Sequence, residues 1–279
     1  VKDGSVRNLT ETAGVREKDA TWSPDGKSIA YISDAGIEHK IVIRDQTGSD
    51  APKTFALGKT GYFNLLEWSP NSQMIVFQDN HLQLFVLNIA QGKITKLDES
   101  ARRSAFNISF SSDSRWLAYT VSGANHFSKI KLYDFNSGKS TTITDGLSDA
   151  DNPAFAPKDY LYFTASTNAG PTHVGLDMSS QERPLRNGIY AVVLAADGKS
   201  PLLPKSGDEE VKKEAKSDGD AKKDDTKKDD AKKDDSKKDE VAKPAKAVKI
   251  DLAGIQQRIV ALPIAERNNL SLQVASDGG

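Results

Sequence analysis

One motif, met four times, constrains this chain more than any other feature. It first occurs as "TWSPDGKSIAYISD" from Thr21 and returns as "EWSPNSQMIVFQD" from Glu67. "SFSSDSRWLAYTVS" from Ser109 and "AFAPKDYLYFTAS" from Ala154 complete the set. The aromatics that anchor it, Trp22, Trp68, Phe110 and Phe155, stand 46, 42 and 45 residues apart. Each copy reads as a strand, a tight turn and a second strand. In the first copy Pro24 presets the φ angle of the first central turn position, and Asp25 suits the second. Gly26 then supplies the positive φ that a bulged hairpin needs. The residues after the turn, such as Ile29, Tyr31 and Ile32, are β-branched or aromatic and favour a pleated surface.

The remainder of each unit keeps the pattern. A third strand follows each hairpin: "KIVIRDQTG", "LQLFVLNIAQG", "KIKLYDFNSG" and "GIYAVVLAADG". Each closes on a glycine: Gly48, Gly92, Gly138 and Gly198. A short fourth strand comes next, "KTFAL", "KITKL" and "KSTTIT" in the first three units and "SPLLPK" in the fourth. There an insertion intervenes, and "RIVALPI" from Arg258 is expected to supply or complete the outer strand. Four-stranded units at this period predict an all-β fold, a β-propeller with blades of four antiparallel strands. The chain holds about four blades and the start of a fifth. The four anchoring aromatics are expected to pack between neighbouring blades and to do no chemistry.

The propeller reading divides the chain into blades over 1–204, a charged low-complexity insertion over 205–249, and a continuation of the propeller over 250–279. The insertion carries 15 Lys and 14 acidic residues, and its centre is "AKKDDTKKDDAKKDDSKKDE". Such a tract buries too little apolar surface to offset the entropy of ordering it, so it is expected to be solvated and disordered. Its charges nearly cancel, so it lacks the one-sign field of a nucleic-acid tail.

The same balance holds for the whole chain: 279 residues, 37% apolar, net charge −1. That points neither to nucleic acid nor to an anionic membrane as a partner. No apolar run reaches the ~18 residues of a membrane-spanning helix. The chain has no cysteine, which excludes disulfides and thiolate metal sites. It opens mid-pattern at "VRNLTET" without an initiator Met, as a fragment would.

Catalytic signatures are missing from the sequence. There is no G-x-S-x-G elbow, P-loop, G-x-G-x-x-G or H-E-x-x-H. His39, His81, His126 and His173 share no metal-ligand spacing. The run "DADN" from Asp149 offers oxygen ligands but lacks the rest of a cation loop, and a polar turn accounts for it better. No cofactor is implied.

Geometry is what remains. In a propeller the first strand of each blade lines a central channel, and the loops leading into those strands surround one mouth. Here the loops are "GVREKDA", "KTGYFNLL", "SARRSAFNI" and "LSDADNPA". They bring Arg16, Glu17, Lys18, Asp19, Arg102, Arg103, Asp149 and Asp151 to the channel mouth. These residues form either a solvated rim or a polar filter for passing chains.

At this point the order of elements resembles a known family. "VRNLTETAGVREKDATWSPDGKSIAYISD" resembles the opening of the second, larger propeller of tricorn-type serine proteases. "NGIYAVVLAADGKSPLLP", "KIDLAGIQQRIVALPI" and "LSLQVASDGG" extend the resemblance over the chain outside the Lys/Asp tract. The "WSPDGK" hairpin alone is shared with TolB-type propellers and with the propellers of prolyl-oligopeptidase-like enzymes, which leaves both as alternatives. The resemblance implies a large serine peptidase acting on oligopeptides, with two propellers, a PDZ-like domain and a separate catalytic domain. It implies a homo-oligomeric, cytoplasmic parent, with a periplasmic or exported one as the alternative. The corresponding propeller has seven blades and controls access to a buried active site, so about four blades look like a fragment. No position of this chain inherits a catalytic role.

Overall fold

The structure, a computed structural model, describes residues 8–58, 61–102, 106–157, 159–168, 186–203, 247–269 and 271–275. Arg103 and the Lys/Asp repeat lie outside the described residues.

The hairpin motif forms as its turn chemistry dictates. In the first copy β1 (Glu17–Trp22) pairs antiparallel with β2 (Ser28–Ser33). Ser23 closes the turn from both sides. Its amide donates to the Ser28 carbonyl at 2.8 Å, its carbonyl accepts from Gly26 N at 2.9 Å, and its hydroxyl reaches Asp25 Oδ1 at 2.6 Å. Gly26 sits at φ 69°. The later copies put Ser72, Ser114 and Asp159 at that position, with φ of 58°, 59° and 51°. Serine bears the left-handed conformation because its hydroxyl gains a partner there. Ser72 Oγ accepts from Asp25 N at 3.2 Å, and Ser114 Oγ accepts from Asn71 N at 3.0 Å. Each of these bonds ties one hairpin turn to the turn of the preceding blade.

Two more strands complete each sheet. The first blade adds β3 (His39–Asp45) and β4 (Lys53–Gly58). The second holds β5 (Phe63–Trp68), β6 (Met74–Asp79), β7 (Gln83–Asn88) and β8 (Lys93–Glu99). The third holds β9 (Ile108–Phe110), β10 (Trp116–Ser122), β11 (Ser128–Asp134) and β12 (Lys139–Thr142). The fourth holds β13 (Asp149–Phe155), β14 (Tyr160–Ser166), β15 (Gly188–Val193) and β16 (Ile259–Ala261). All four sheets are antiparallel meanders in chain order. "RIVALPI" therefore supplies the outer strand of the fourth blade, with Val192 opposite Ile259. Residues of "SPLLPK" form a turn instead.

The blades stack face to face, and the second strands show why. "MIVFQD" and "WLAYTVS" are almost continuously apolar because both faces of each sheet are covered. Ile75 and Phe77 pack with Ala30, Ile32, Ile41 and Trp68 between the first and second blades. Val76, one pleat over, packs with Phe110, Leu117 and Tyr119 between the second and third. Trp116 and Ala118 then face Ala150, Leu161 and Phe163 of the fourth. Val248, Ile250 and Ile255 join this last layer, and Val248 N donates to Asp113 Oδ2 at 2.8 Å. The chain is thus fastened to the propeller again by Val248.

Three anchoring aromatics meet the expectation. Trp68 is 4% exposed and Phe110 7%, and Phe155 packs on the third layer. Each rests against the blade that precedes its own. Trp22 differs: it is 56% exposed, because no blade covers that face of the first sheet among the described residues.

Candidate functional site

The inner strands β1, β5, β9 and β13 stand next to one another, and polar side chains join them. Lys18 Nζ donates to Asn64 Oδ1 at 3.0 Å, and Asp19 Oδ2 accepts from Leu65 N at 3.3 Å. Between the third and fourth blades, Asn107 Nδ2 donates to Asp151 Oδ1 at 2.7 Å and Ser109 Oγ accepts from Phe155 N at 3.0 Å. Bulges interrupt three of these strands, between Lys18 and Thr21, between Leu65 and Glu67, and between Asp151 and Ala154. Asp19 and Asn152 take left-handed φ of 56° and 52° inside two of them. A bulge turns side chains out of register with the ladder, and in β1 it lets the Asp19 carboxylate reach across to the neighbouring blade.

The residues expected at the channel mouth divide into three groups. Glu17, Lys18 and Asp19 lie in β1 itself, and Asp149 and Asp151 in β13, rather than in loops. Asp151 Oδ1 accepts from Asn107, from Thr120 Oγ1 at 2.8 Å and from Asn152 N at 2.7 Å. Asp149 Oδ1 accepts from Ser128 N at 2.9 Å. With donors around both carboxylates, "DADN" is a tie between blades. Glu17 accepts from Thr12 Oγ1 at 2.9 Å.

Lys18 is the half-hidden member. Its side chain is 14% exposed, and its ammonium sits 3.3 Å from the centre of the Tyr62 ring and 3.8 Å from Asp19. A cation over an aromatic face is stabilised by the ring quadrupole, the more so when desolvated. Arg16 and Arg102 are exposed. Arg102 Nη1 lies 2.6 Å from His126 Nε2, where the guanidinium is the donor. Arg103 is outside the described residues.

A cavity of about 520 Å³ opens on the same wall. It is lined by Glu67 from β5, by Asn107 and Ser109 at β9, by Asn152 from β13 and by Gln273. None of these was singled out by loop position. Alternation along the strand carries their signal. The residue before each anchoring aromatic points away from the preceding blade, and Glu67, Ser109 and Ala154 all line the cavity. The Glu67 side chain is exposed where it lines the cavity. The protein around it, with no compensating partner, raises its carboxyl pKa.

His39 stacks near Phe63, His81 stands by Asp79 and His126 by Arg102; none of these partners is a nucleophile. Among the described residues no group of three His, Cys, Asp or Glu is placed to hold a metal ion. None of the described helices is long and apolar enough to cross a membrane.

Comparison with known proteins follows the fold. The family model described as "Tricorn protease second beta propeller domain" matches residues 1–278. The chain belongs to this family. A tricorn protease homolog of Streptomyces coelicolor is 23% identical over 288 residues, covering 99% of this chain and 25% of its own length. A putative tricorn-like protease C-terminal subunit of Sulfurisphaera tokodaii is 26% identical over 172 residues, covering 61% of this chain and 19% of its own length. The crystal structure of the tricorn protease superposes with a TM-score of 0.63 at 18% identity, over 92% of this chain and 22% of that one. At that identity the likeness shows the fold. The chain spans about a fifth to a quarter of the length of these two relatives. It is a propeller segment of the tricorn type.

Proposed function

We propose that this propeller segment passes peptides along its inner strands toward a catalytic domain carried elsewhere in a tricorn-like serine peptidase, and that its mouth selects among them by charge. The observation that carries the reading is the cavity of about 520 Å³ on the inner wall, built from Glu67, Asn107, Ser109, Asn152 and Gln273. Side-chain amides and hydroxyls suit an extended peptide, whose backbone offers one donor and one acceptor per residue. They bind any sequence weakly, as a conduit requires. Arg16, Arg102 and the Lys18–Tyr62 pair add positive charge near the rim.

The test is Arg102→Glu in a peptidase that carries this segment. Opposite charge at a low-dielectric mouth raises the local concentration of a substrate, and like charge lowers it. The substitution should lower kcat/KM for acidic peptides more than for neutral ones. The difference should shrink as salt rises and the Debye length falls from about 10 Å at 0.1 M to about 3 Å at 1 M. An unchanged ratio of acidic to neutral kcat/KM at both salt concentrations would reduce the mouth to a solvated rim.

A further inference from the structure

The position before each anchoring aromatic carries Thr21, Glu67, Ser109 and Ala154 in the four blades. Glu67 alone is charged. It is also the one titratable residue among those that line the cavity. The neighbouring carboxylates are occupied. Asp19 accepts from the Leu65 amide, and Asp151 accepts from Asn107, Thr120 and the Asn152 amide. Lys18, on the neighbouring strand β1, is held by Asn64 and the Tyr62 ring. The Glu67 carboxylate has no hydrogen bond or ion pair to any described residue, and its side chain is open to an incoming group. The protein around it raises its carboxyl pKa, which a cation beside it would offset.

The amides beside it are oriented by their own bonds. Asn107 spends its Nδ2 on Asp151, and Asn152 spends its Nδ2 on Thr164 Oγ1 at 3.1 Å. The carbonyl oxygens of both remain as acceptors. The lining of the cavity therefore includes an unpaired carboxylate and two residues with unspent amide carbonyls, a set that suits a group with several donors and no acceptor. A primary ammonium has three N–H donors and a full charge.

We infer that Glu67, with the carbonyls of Asn107 and Asn152, forms a subsite for a primary ammonium group of a peptide in the channel. This rests on the reading of the channel as a peptide conduit. The ammonium has two sources, the free N-terminus of a peptide and a lysine side chain. Either would pair with the carboxylate through a charge-assisted hydrogen bond, about twice as strong as a neutral one.

Three probes separate the sources: trialanine, N-acetyl-Ala-Lys-Ala amide, and N-acetyl-trialanine amide. Binding to the chain is followed by calorimetry and by the carboxyl ¹³C resonance of Glu67. At pH 7.5 the subsite predicts at least about ten-fold tighter binding of trialanine, of the lysine peptide or of both than of the fully capped peptide. The resonance should show a lowered Glu67 pKa in the complex. Glu67→Gln should abolish the preference for the ammonium peptides over the capped one. Taking the unmutated protein to pH 5.5 should abolish it too, since protonated Glu67 no longer holds a cation, and this arm does not depend on the variant folding. Equal binding of all three probes, or a preference that survives Glu67→Gln, overturns the subsite and leaves the conduit standing. Failure of all three to bind, the capped peptide included, overturns the conduit and the subsite with it.

Discussion

Trp22 and Trp68 hold the same place in the repeat and have opposite surroundings, so truncating each one measures the packing between blades. A buried tryptophan removes roughly 150–250 Å² from water. At about 25 cal/mol per Å² that is ~4–6 kcal/mol, an upper estimate because a denatured chain already hides part of its apolar surface. Trp68 is 4% exposed among Ile32, Ile41, Ile75 and Phe77. Trp68→Ala should therefore destabilise by about 3–5 kcal/mol, with the cavity it leaves adding to the lost burial. Trp22 is 56% exposed, so less than half of its surface is at stake. Water fills the space it vacates, and Trp22→Ala should cost only about 1 kcal/mol. Trp68→Phe is the companion, because the Trp68 Nε1 is buried without an acceptor among the described residues. It should recover more than half of the alanine loss. The assay is urea unfolding of the three variants beside the parent chain, with the slope checked to confirm that each compares the same transition. If Trp22→Ala lowers the midpoint as far as Trp68→Ala does, the rule that each aromatic rests on the preceding blade is wrong.

Three further outcomes follow from single positions. Gly198→Ala should cost about 1–3 kcal/mol by overpacking, since a Cβ there would stand 2.5 Å from Val193 Cγ1 and 3.0 Å from the Ala195 carbonyl; thermal unfolding reads it directly. The Asp45 carboxyl is held down to about 2 by the Thr47 hydroxyl first, then by the Asp50 amide. Its folded pKa is depressed, so its contribution is present above the unfolded value near 4 and fades as pH falls toward 2. The midpoint gap between the parent chain and Asp45→Asn should close over that window. Glu67 has the reverse sign: the folded state binds its proton more tightly, so stability is highest below about pH 4.5 and declines as pH rises through 7. Glu67→Gln should remove that decline, and a pH series of urea midpoints at low salt shows whether it does.

The blade architecture was legible because its determinants are local. Turn chemistry, strand composition and the period all sit within a few residues of each other, and Ser23 closes the first turn with bonds no longer than five residues. Even the distant outer strand of the fourth blade, Ile259–Ala261, could be read from "RIVALPI" as the apolar segment the pattern still lacked. The exposure of Trp22 could not. A repeat shows what an aromatic is shaped to meet, and whether a blade stands on that side depends on the rest of the assembly. The channel was legible only in outline. Reading charge from loops brought out Asp149 and Asp151, whose carboxylates are taken up by the Ser128 amide and by Asn107 and Thr120. Both residues pair in register inside β13, ahead of a bulge, and a bulge leaves little trace in composition. Glu67 was hidden in plain view beside Trp68. Its signal is the two-residue period, which aims it into the cavity when its neighbour packs on a blade.

The central claim is that peptides travel along the wall that Glu67, Asn107, Asn152 and Gln273 share. Blocking that wall tests it most directly. Gln273 is exposed, lines the cavity and makes no hydrogen bond to another described residue, and the chain has no cysteine of its own. Gln273→Cys, coupled to a bulky maleimide in a peptidase that carries this segment, should cut kcat/KM for oligopeptides at least about ten-fold relative to the unlabelled variant. The loss should deepen with the size of the label. An oligopeptide kcat/KM that stays the same with the largest label in place would show that substrates reach the active site by another path, and would contradict the account.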